Sequence, residues 1–252
     1  MLRYIFSTPH FKNTSSRLRT CKSKDKDNLN DKVFKKGILM KTKLIENNSN
    51  DLVVFLTGWG CDDNQFKNFS SSKNLLLCWD YSTLDFEFDF SKYNKVSLLA
   101  YSAGVLVACL LQNKFPKFDK KVAVNGNPFM IDKKLGMSKK TIDILLNLNL
   151  DNCMEFISTY LVYDKQELKK FLATPSYRPF ESSKQELIKL QEYCNLKYKP
   201  IEFDKVILSD TDKVFNPGTQ QEYFKDKYVL LKNSAHHTPF LRFNSTDELF
   251  NL

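Results

Sequence analysis

The sequence predicts an α/β domain built on a mostly parallel, doubly wound sheet, and three observations carry that prediction. Six short apolar runs recur along the chain: LVVFLT (52–57), LLLCW (75–79), KVSLLAY (95–101), KVAVNG (121–126), KVILS (205–209) and KYVLL (227–231). They are nearly continuous in apolar character rather than alternating, as strands covered on both faces are. Segments of helical character separate several of them, the clearest over residues 103–114. Finally, more than 70 residues between the fourth and fifth runs carry helical patterns and no strand signal.

Taken in order, the first element is a tail. The chain has a formal net charge of +9, but residues 1–36 hold ten Lys and Arg against three Asp, so seven of those charges lie there. Residues 1–39 therefore read as a basic, disordered tail. Its first two dozen residues are Arg/Ser/Thr-bearing and free of acid, which superficially fits an organellar transit peptide. A domain starting near Met40 with an appendage before it is the simpler account. The remaining charge is close to neutral, so the domain over residues 40–252 is not a nucleic-acid binder by composition. No stretch approaches the roughly 20 apolar residues of a membrane span. A cytoplasmic monomer is expected, with neither nucleic acid nor membrane as partner.

Cysteine usage agrees with a reducing compartment. Cys21, Cys61, Cys78, Cys109, Cys153 and Cys194 form no Cys-x-x-Cys pair, and three lie in apolar runs. Neither a disulfide framework nor a zinc site follows, and no metal or other cofactor is expected.

After the first four strand runs comes the insertion, a helical cap expected over about residues 130–200. It reads as SKKTIDILLNLNLDNCMEFISTYLV, then DKQELKKFLAT ended by Pro175, then SSKQELIKLQEYCNL opened by a serine cap. A helical stretch after the fourth run is what would cover an active site at the edge of a sheet.

The third run leads into Ala100-Tyr101-Ser102-Ala103-Gly104. A strand that stops at Tyr101 and a helix that starts after Ser102 require a very tight turn, which thrusts the hydroxyl clear of the sheet. Small residues two before and two after let strand and helix approach. The pattern matches the Gly-x-Ser-x-Gly nucleophile elbow of the α/β-hydrolase fold, with Ala in place of the usual first glycine, and a serine in an ordinary strand-to-helix loop is the alternative reading.

A serine hydroxyl needs a histidine to take its proton and an acid to orient that histidine. In this fold they follow in the order serine, acid, histidine. KVILSDTDKVFNP offers Asp210 and Asp212, and LLKNSAHHTPF offers His236 and His237. The oxyanion formed by attack calls for two backbone N–H groups. Ala103 is one candidate, and Trp59, in the loop LTGWGCDD after the first run, is the other.

FLTGWGCDDNQF, WDY, LLAYSAGVLVA, VNGNPFMIDKKLGM, DKVFNPGTQ and HTPF span about residues 52–240. Together they resemble the BioG-type pimeloyl-[acyl-carrier protein] methyl ester esterases of biotin synthesis. That resemblance implies Asp212 as the acid, from its place before KVFNP, and His237 as the base, from its place before TPF; Asp210 and His236 become second choices. It also implies hydrolysis of a methyl ester carried on acyl carrier protein, an acidic partner that positive charge at the site's mouth would attract. Lys133, Lys134, Lys139, Lys140, Lys169, Lys170 and Arg178 are the candidate docking residues. The rival readings are a broad carboxylesterase or acyl-thioesterase with the same triad, and a non-catalytic binding protein of the same fold.

Overall fold

The computed structural model describes residues 39–252, and the expectations placed on the basic tail before them lie outside the described residues. Seven strands form one sheet, β1 (Lys41–Ile45), β2 (Asp51–Leu56), β3 (Asn74–Trp79), β4 (Lys95–Tyr101), β5 (Lys121–Val124), β6 (Lys205–Ser209) and β7 (Tyr228–Leu231). Their spatial order is β1-β3-β2-β4-β5-β6-β7, and every neighbouring pair is parallel except the antiparallel β1–β3. The order turns at β2, so successive crossovers run to either side and cover both faces of the sheet.

The two faces can be read along single strands. In β2, Leu52, Val54 and Leu56 enter one buried cluster while Val53 and Phe55 enter the other. In β4, Val96, Leu98 and Ala100 alternate in the same way with Leu99 and Tyr101. Successive side chains point to opposite faces, and both faces here are apolar because both are covered. Strand β1 was not among the six runs. Its KTKLI mixes lysines with apolar residues and its side chains are exposed or half-buried, as suits an edge strand with one covered face.

Helix α1 (Ala103–Leu110) follows β4 without a loop, and its residues Ala103 to Cys109 are all buried. Truncating Leu106, which is fully buried, would cost about 2–5 kcal/mol. The long segment between β5 and β6 carries α2 (Lys139–Leu146), α3 (Cys153–Phe156), α4 (Lys165–Ala173) and α5 (Phe180–Tyr193), with a π-helical turn over Ile157–Leu161. Ser138 caps α2 by accepting from the Thr141 N–H, and Asp164 caps α4 by accepting from those of Gln166 and Glu167. Helix α5 differs from expectation. It begins at Phe180 after Pro179, with no side-chain cap, and the two serines lie in its first turn. Pro179 supplies a fixed φ of −60° at the start instead.

Beyond β6 the chain forms α6 (Pro217–Phe224), β7, α7 (Pro239–Arg242) and α8 (Thr246–Asn251). Among the described residues no helix is long and apolar enough to cross a membrane.

Candidate active site

Ser102 occupies the single residue between β4 and α1, at φ 53° and ψ −119°. A side-chain-bearing residue held there costs on the order of 1–3 kcal/mol, so its surroundings must enforce it. They do so by backbone bonds: the Ser102 N–H donates to the Val124 carbonyl at 3.0 Å, and the Val105 N–H to the Ser102 carbonyl at 3.1 Å. Close approach does the rest. A Cβ on Gly104 would run into the Leu56 carbonyl oxygen, and one on Gly126 into that of Ser102. Gly104 belongs to the pentapeptide, whereas the close approach at Gly126, three residues into VNGNP, carries no sequence signal.

The carboxyl ends of β6 and β7 bring the partners. Asp212 Oδ1 accepts from the Val214 and Phe215 N–H groups at 2.7 and 3.1 Å, which leaves Oδ2 to face a histidine. That histidine is His236. Its Nδ1 lies 2.8 Å from Asp212 Oδ2 and its Nε2 lies 3.0 Å from Ser102 Oγ. With Nδ1–H donating to the carboxylate, Nε2 is the acceptor for the Ser102 hydroxyl proton. Asp210 does not reach the ring; it turns to the chain itself and accepts from the Ser234 N–H at 3.0 Å.

The expectation of His237 beside the serine is therefore corrected in placement. The His237 N–H donates to the Leu161 carbonyl at 2.8 Å and the Asn125 amide donates to the His236 carbonyl at 2.7 Å, so the backbone is gripped on two sides and the consecutive rings diverge. His237 Nδ1 sits 3.2 Å from the Tyr101 hydroxyl, with its ring packed among Phe66, Phe171 and Phe240. Burial, with the neighbouring His236 as a second cause, pushes its pKa down to about 3, so it stays neutral near pH 7.

Asn125 is a site-forming residue that sequence reasoning missed. Its amide also donates to Ser209 Oγ at 2.8 Å and its Oδ1 accepts from the Ser209 N–H at 2.8 Å, tying β5, β6 and the histidine loop together. The available signal was a polar residue directly after a buried strand.

Trp59 lies in the loop after β2 and lines a cavity with Ser102 and His236. Its indole Nε1 donates to the Ser183 carbonyl on α5 at 2.6 Å. The backbone N–H groups of Trp59 and Ala103 have no hydrogen-bond partner among the described residues. Neither N–H is therefore engaged elsewhere among the described residues.

The cavity has an empty volume of about 1190 Å³ including its open mouth, and the insertion supplies most of its wall, with Met137, Leu145, Phe156, Leu161 and Phe171 prominent. Such a lining suits an alkyl chain rather than a charged group. Among the proposed docking residues, Lys133, Lys134, Lys139, Lys140, Lys169 and Lys170 are exposed. Arg178 is not. Its side chain is 4% exposed and its guanidinium is paired with Asp80 and Glu186, so it has no charge to present to a partner.

The family model described as Pimeloyl-ACP methyl esterase BioG matches residues 40–249 of this chain. The crystal structure of BioG from Haemophilus influenzae aligns with a TM-score of 0.74 at 28% identity, covering 84% of this chain and 100% of that one. A curated relative, the malonyl-[acyl-carrier protein] O-methyltransferase of Bacteroides fragilis (strain 638R), is 28% identical over 176 residues. That match covers 68% of this chain and 36% of the relative, so the chain spans about a third of that protein's length. A bromoperoxidase from Bacillus anthracis, at 13% identity and a TM-score of 0.58, covers 84% of this chain and 93% of its own and shares the fold.

Proposed function

This chain belongs to the pimeloyl-ACP methyl esterase family BioG, an esterase of the α/β-hydrolase fold, and from that premise we propose that Ser102, His236 and Asp212 hydrolyse the methyl ester of a pimeloyl group carried on acyl carrier protein. The observation that carries this reading is the relay of 3.0 Å from Ser102 Oγ to His236 Nε2 and 2.8 Å from His236 Nδ1 to Asp212 Oδ2, at one end of an apolar cavity.

The chemistry follows from those contacts. Ser102 Oγ attacks the ester carbonyl carbon while His236 Nε2 takes its proton, and Asp212 stabilises the resulting imidazolium. The Trp59 and Ala103 N–H groups receive the negative charge on the carbonyl oxygen. As the tetrahedral adduct collapses, His236 returns the proton to the departing methoxy oxygen and methanol leaves. A water molecule, deprotonated by the same nitrogen, then attacks the acyl-serine; as this second adduct collapses the bond to Ser102 Oγ breaks, His236 returns the proton to Oγ, and the acyl group departs as a carboxylic acid that ionises in solution. Every proton is handled by His236, so no cofactor is needed.

In this reading the apolar wall of the insertion holds the alkyl chain, and the carrier remains outside. Exposed lysines of the insertion, Lys139 and Lys140 on α2 among them, would meet its acidic surface. Arg178 is withdrawn from that set because its charge is spent internally.

The deciding experiment is hydrolysis of pimeloyl-carrier-protein methyl ester by the native chain and by Ser102→Ala, read as a mass shift of the carrier. Cleavage by the native chain alone is expected. If neither cleaves it while short p-nitrophenyl esters are still hydrolysed in a Ser102-dependent way, the carrier assignment falls and a broader esterase remains.

A further inference from the structure

We propose that Glu186, on helix α5 of the insertion, is a positioning residue for the oxyanion hole: it holds the Trp59–Gly60 segment so that the Trp59 N–H faces the carbonyl oxygen of the bound ester. This rests on reading Ser102 as the nucleophile, but not on the identity of the acyl carrier.

The loop that bears Trp59 has little to hold it by itself. One backbone bond closes it, from the Cys61 N–H to the Gly58 carbonyl at 3.3 Å, and Gly60 adopts a left-handed φ of 71°. The stronger ties come from α5. Glu186 Oε2 accepts from the Gly60 N–H at 3.1 Å, and the Trp59 indole donates to the Ser183 carbonyl at 2.6 Å. The residue whose N–H should meet the oxyanion is thus fastened to one helix through its own side chain and through the next peptide group.

Glu186 has no exposed surface, and burying a carboxylate costs several kcal/mol before its partners offset it. A helix that needed only to pack would place an apolar residue there, as it does at Leu187 and Leu190, both fully buried. The carboxylate is instead surrounded by donors. Besides Gly60 it receives the Tyr81 N–H at 2.9 Å on Oε1 and the Arg178 guanidinium on Oε2. Burial pushes the carboxyl up, and Arg178 with the two N–H groups acts against that. Donors without an acceptor fit the ionised form, since a carboxylic acid proton would have nowhere to go.

The far end is anchored too. Arg178, just before α5, donates to Asp80 Oδ1 at 2.9 Å and to Ser182 Oγ at 3.1 Å, and with Gly60 and Tyr81 both bonded to Glu186 the loops after β2 and β3 are fastened at the same ion pair. An insertion that served only as a lid would not need an ionised side chain bonded to the peptide next to the oxyanion donor.

The test uses the full chain, a short p-nitrophenyl ester, a trifluoromethyl ketone that adds to the serine to form an oxyanion, and the matching secondary alcohol, which fills the cavity without one. Glu186→Gln is expected to lower kcat by about tenfold or more and to weaken the ketone by the same factor. The alcohol's affinity and the pH profile of kcat/KM should be unmoved. Unchanged kcat would overturn the proposal, as would equal weakening of ketone and alcohol, which would indicate that the cavity itself had collapsed.

Should Glu186→Gln not fold, Trp59→Phe decides. It removes the indole tie to Ser183 and should show the same selective loss of ketone affinity in smaller degree; a ratio equal to the native chain's would sink the idea. Failure of the carrier reading is separable, because native hydrolysis of the short ester without hydrolysis of the carrier ester leaves this ratio intact as the measure of Glu186.

Discussion

The carboxyl edge of the sheet and the helical insertion face each other across one cavity, yet they hold their polar groups by different means. At the sheet edge the side chains of the proposed triad are placed by backbone bonds and neutral amides. The Val124 carbonyl holds Ser102, the Val214 and Phe215 N–H groups hold Asp212, and Asn125 holds the loop of His236. In the insertion the fastenings are charges: Arg178 to Glu186 and Asp80, and Glu167 to Arg242 at 2.8 Å. Strand ends can carry chemistry with few charges because the sheet already fixes direction. Short amphipathic helices have no such lattice, and buried ion pairs lock them to the core instead. Substitutions should therefore strike turnover on one side and folding on the other.

The widest contrast comes from Ser102→Ala and His236→Ala. Each should lower kcat on a short ester by about 10⁴-fold or more with the unfolding midpoint unchanged. An equal loss in His237→Ala would return the base to position 237 and undo the placement argument.

On the other side, Arg178→Met leaves Glu186 and Asp80 without their cation. Denaturant unfolding should report a loss of about 3–5 kcal/mol. A loss below about 1 kcal/mol would show that charge is not what fastens the insertion.

His237 lies at the seam between the two regions and tests it by pH. Its pKa is about 3 in the fold against an ordinary 6.5. Between those values the unfolded chain takes up a proton that the folded chain refuses. Its contribution is flat above 6.5, and stability should fall as pH drops from 6.5 toward 3, by up to about 1.4 kcal/mol per pH unit. Midpoints measured across that range should slope less in His237→Gln; identical slopes would mean that other groups carry the acid sensitivity.

The smallest effect is expected at the surface. Reversing charge at Lys139 and Lys140 should raise KM for the carrier-bound ester severalfold, roughly 1 kcal/mol, and leave a small free ester alone. Equal effects on both would remove these lysines from the docking surface.

Much of the sheet could be read in advance because its strands are bounded apolar runs, and five parallel neighbours demand exactly that composition of the buried ones. KTKLI escaped because an edge strand mixes lysine with apolar residues. The tight turn at Ser102 was readable from Ala100, Ser102 and Gly104, a local pattern imposed by a local turn. The supporting residues were harder: Asn125 showed only as a polar residue directly after a buried strand, and Gly126 and Glu186 act on segments far away in the chain with nothing in their neighbours to announce it. Arg178 read as a surface cation because it stands in a polar stretch, and only its partner Glu186, eight residues on, and Asp80, 98 residues back, draw it inside.

By itself the sequence determined six of the seven strands in chain order and the tight turn at Ser102, since each depends on residues close together in the chain, and it offered a later acid and histidine in the order the fold requires. Which histidine meets Ser102, which cation is buried, and what holds the Trp59 loop were decided by tertiary structure. His236 and His237 are neighbours with the same chemistry, and their side chains part only because Asn125 grips one carbonyl and Leu161 receives the next N–H. Those are contacts between segments that the linear order keeps 111 and 76 residues apart.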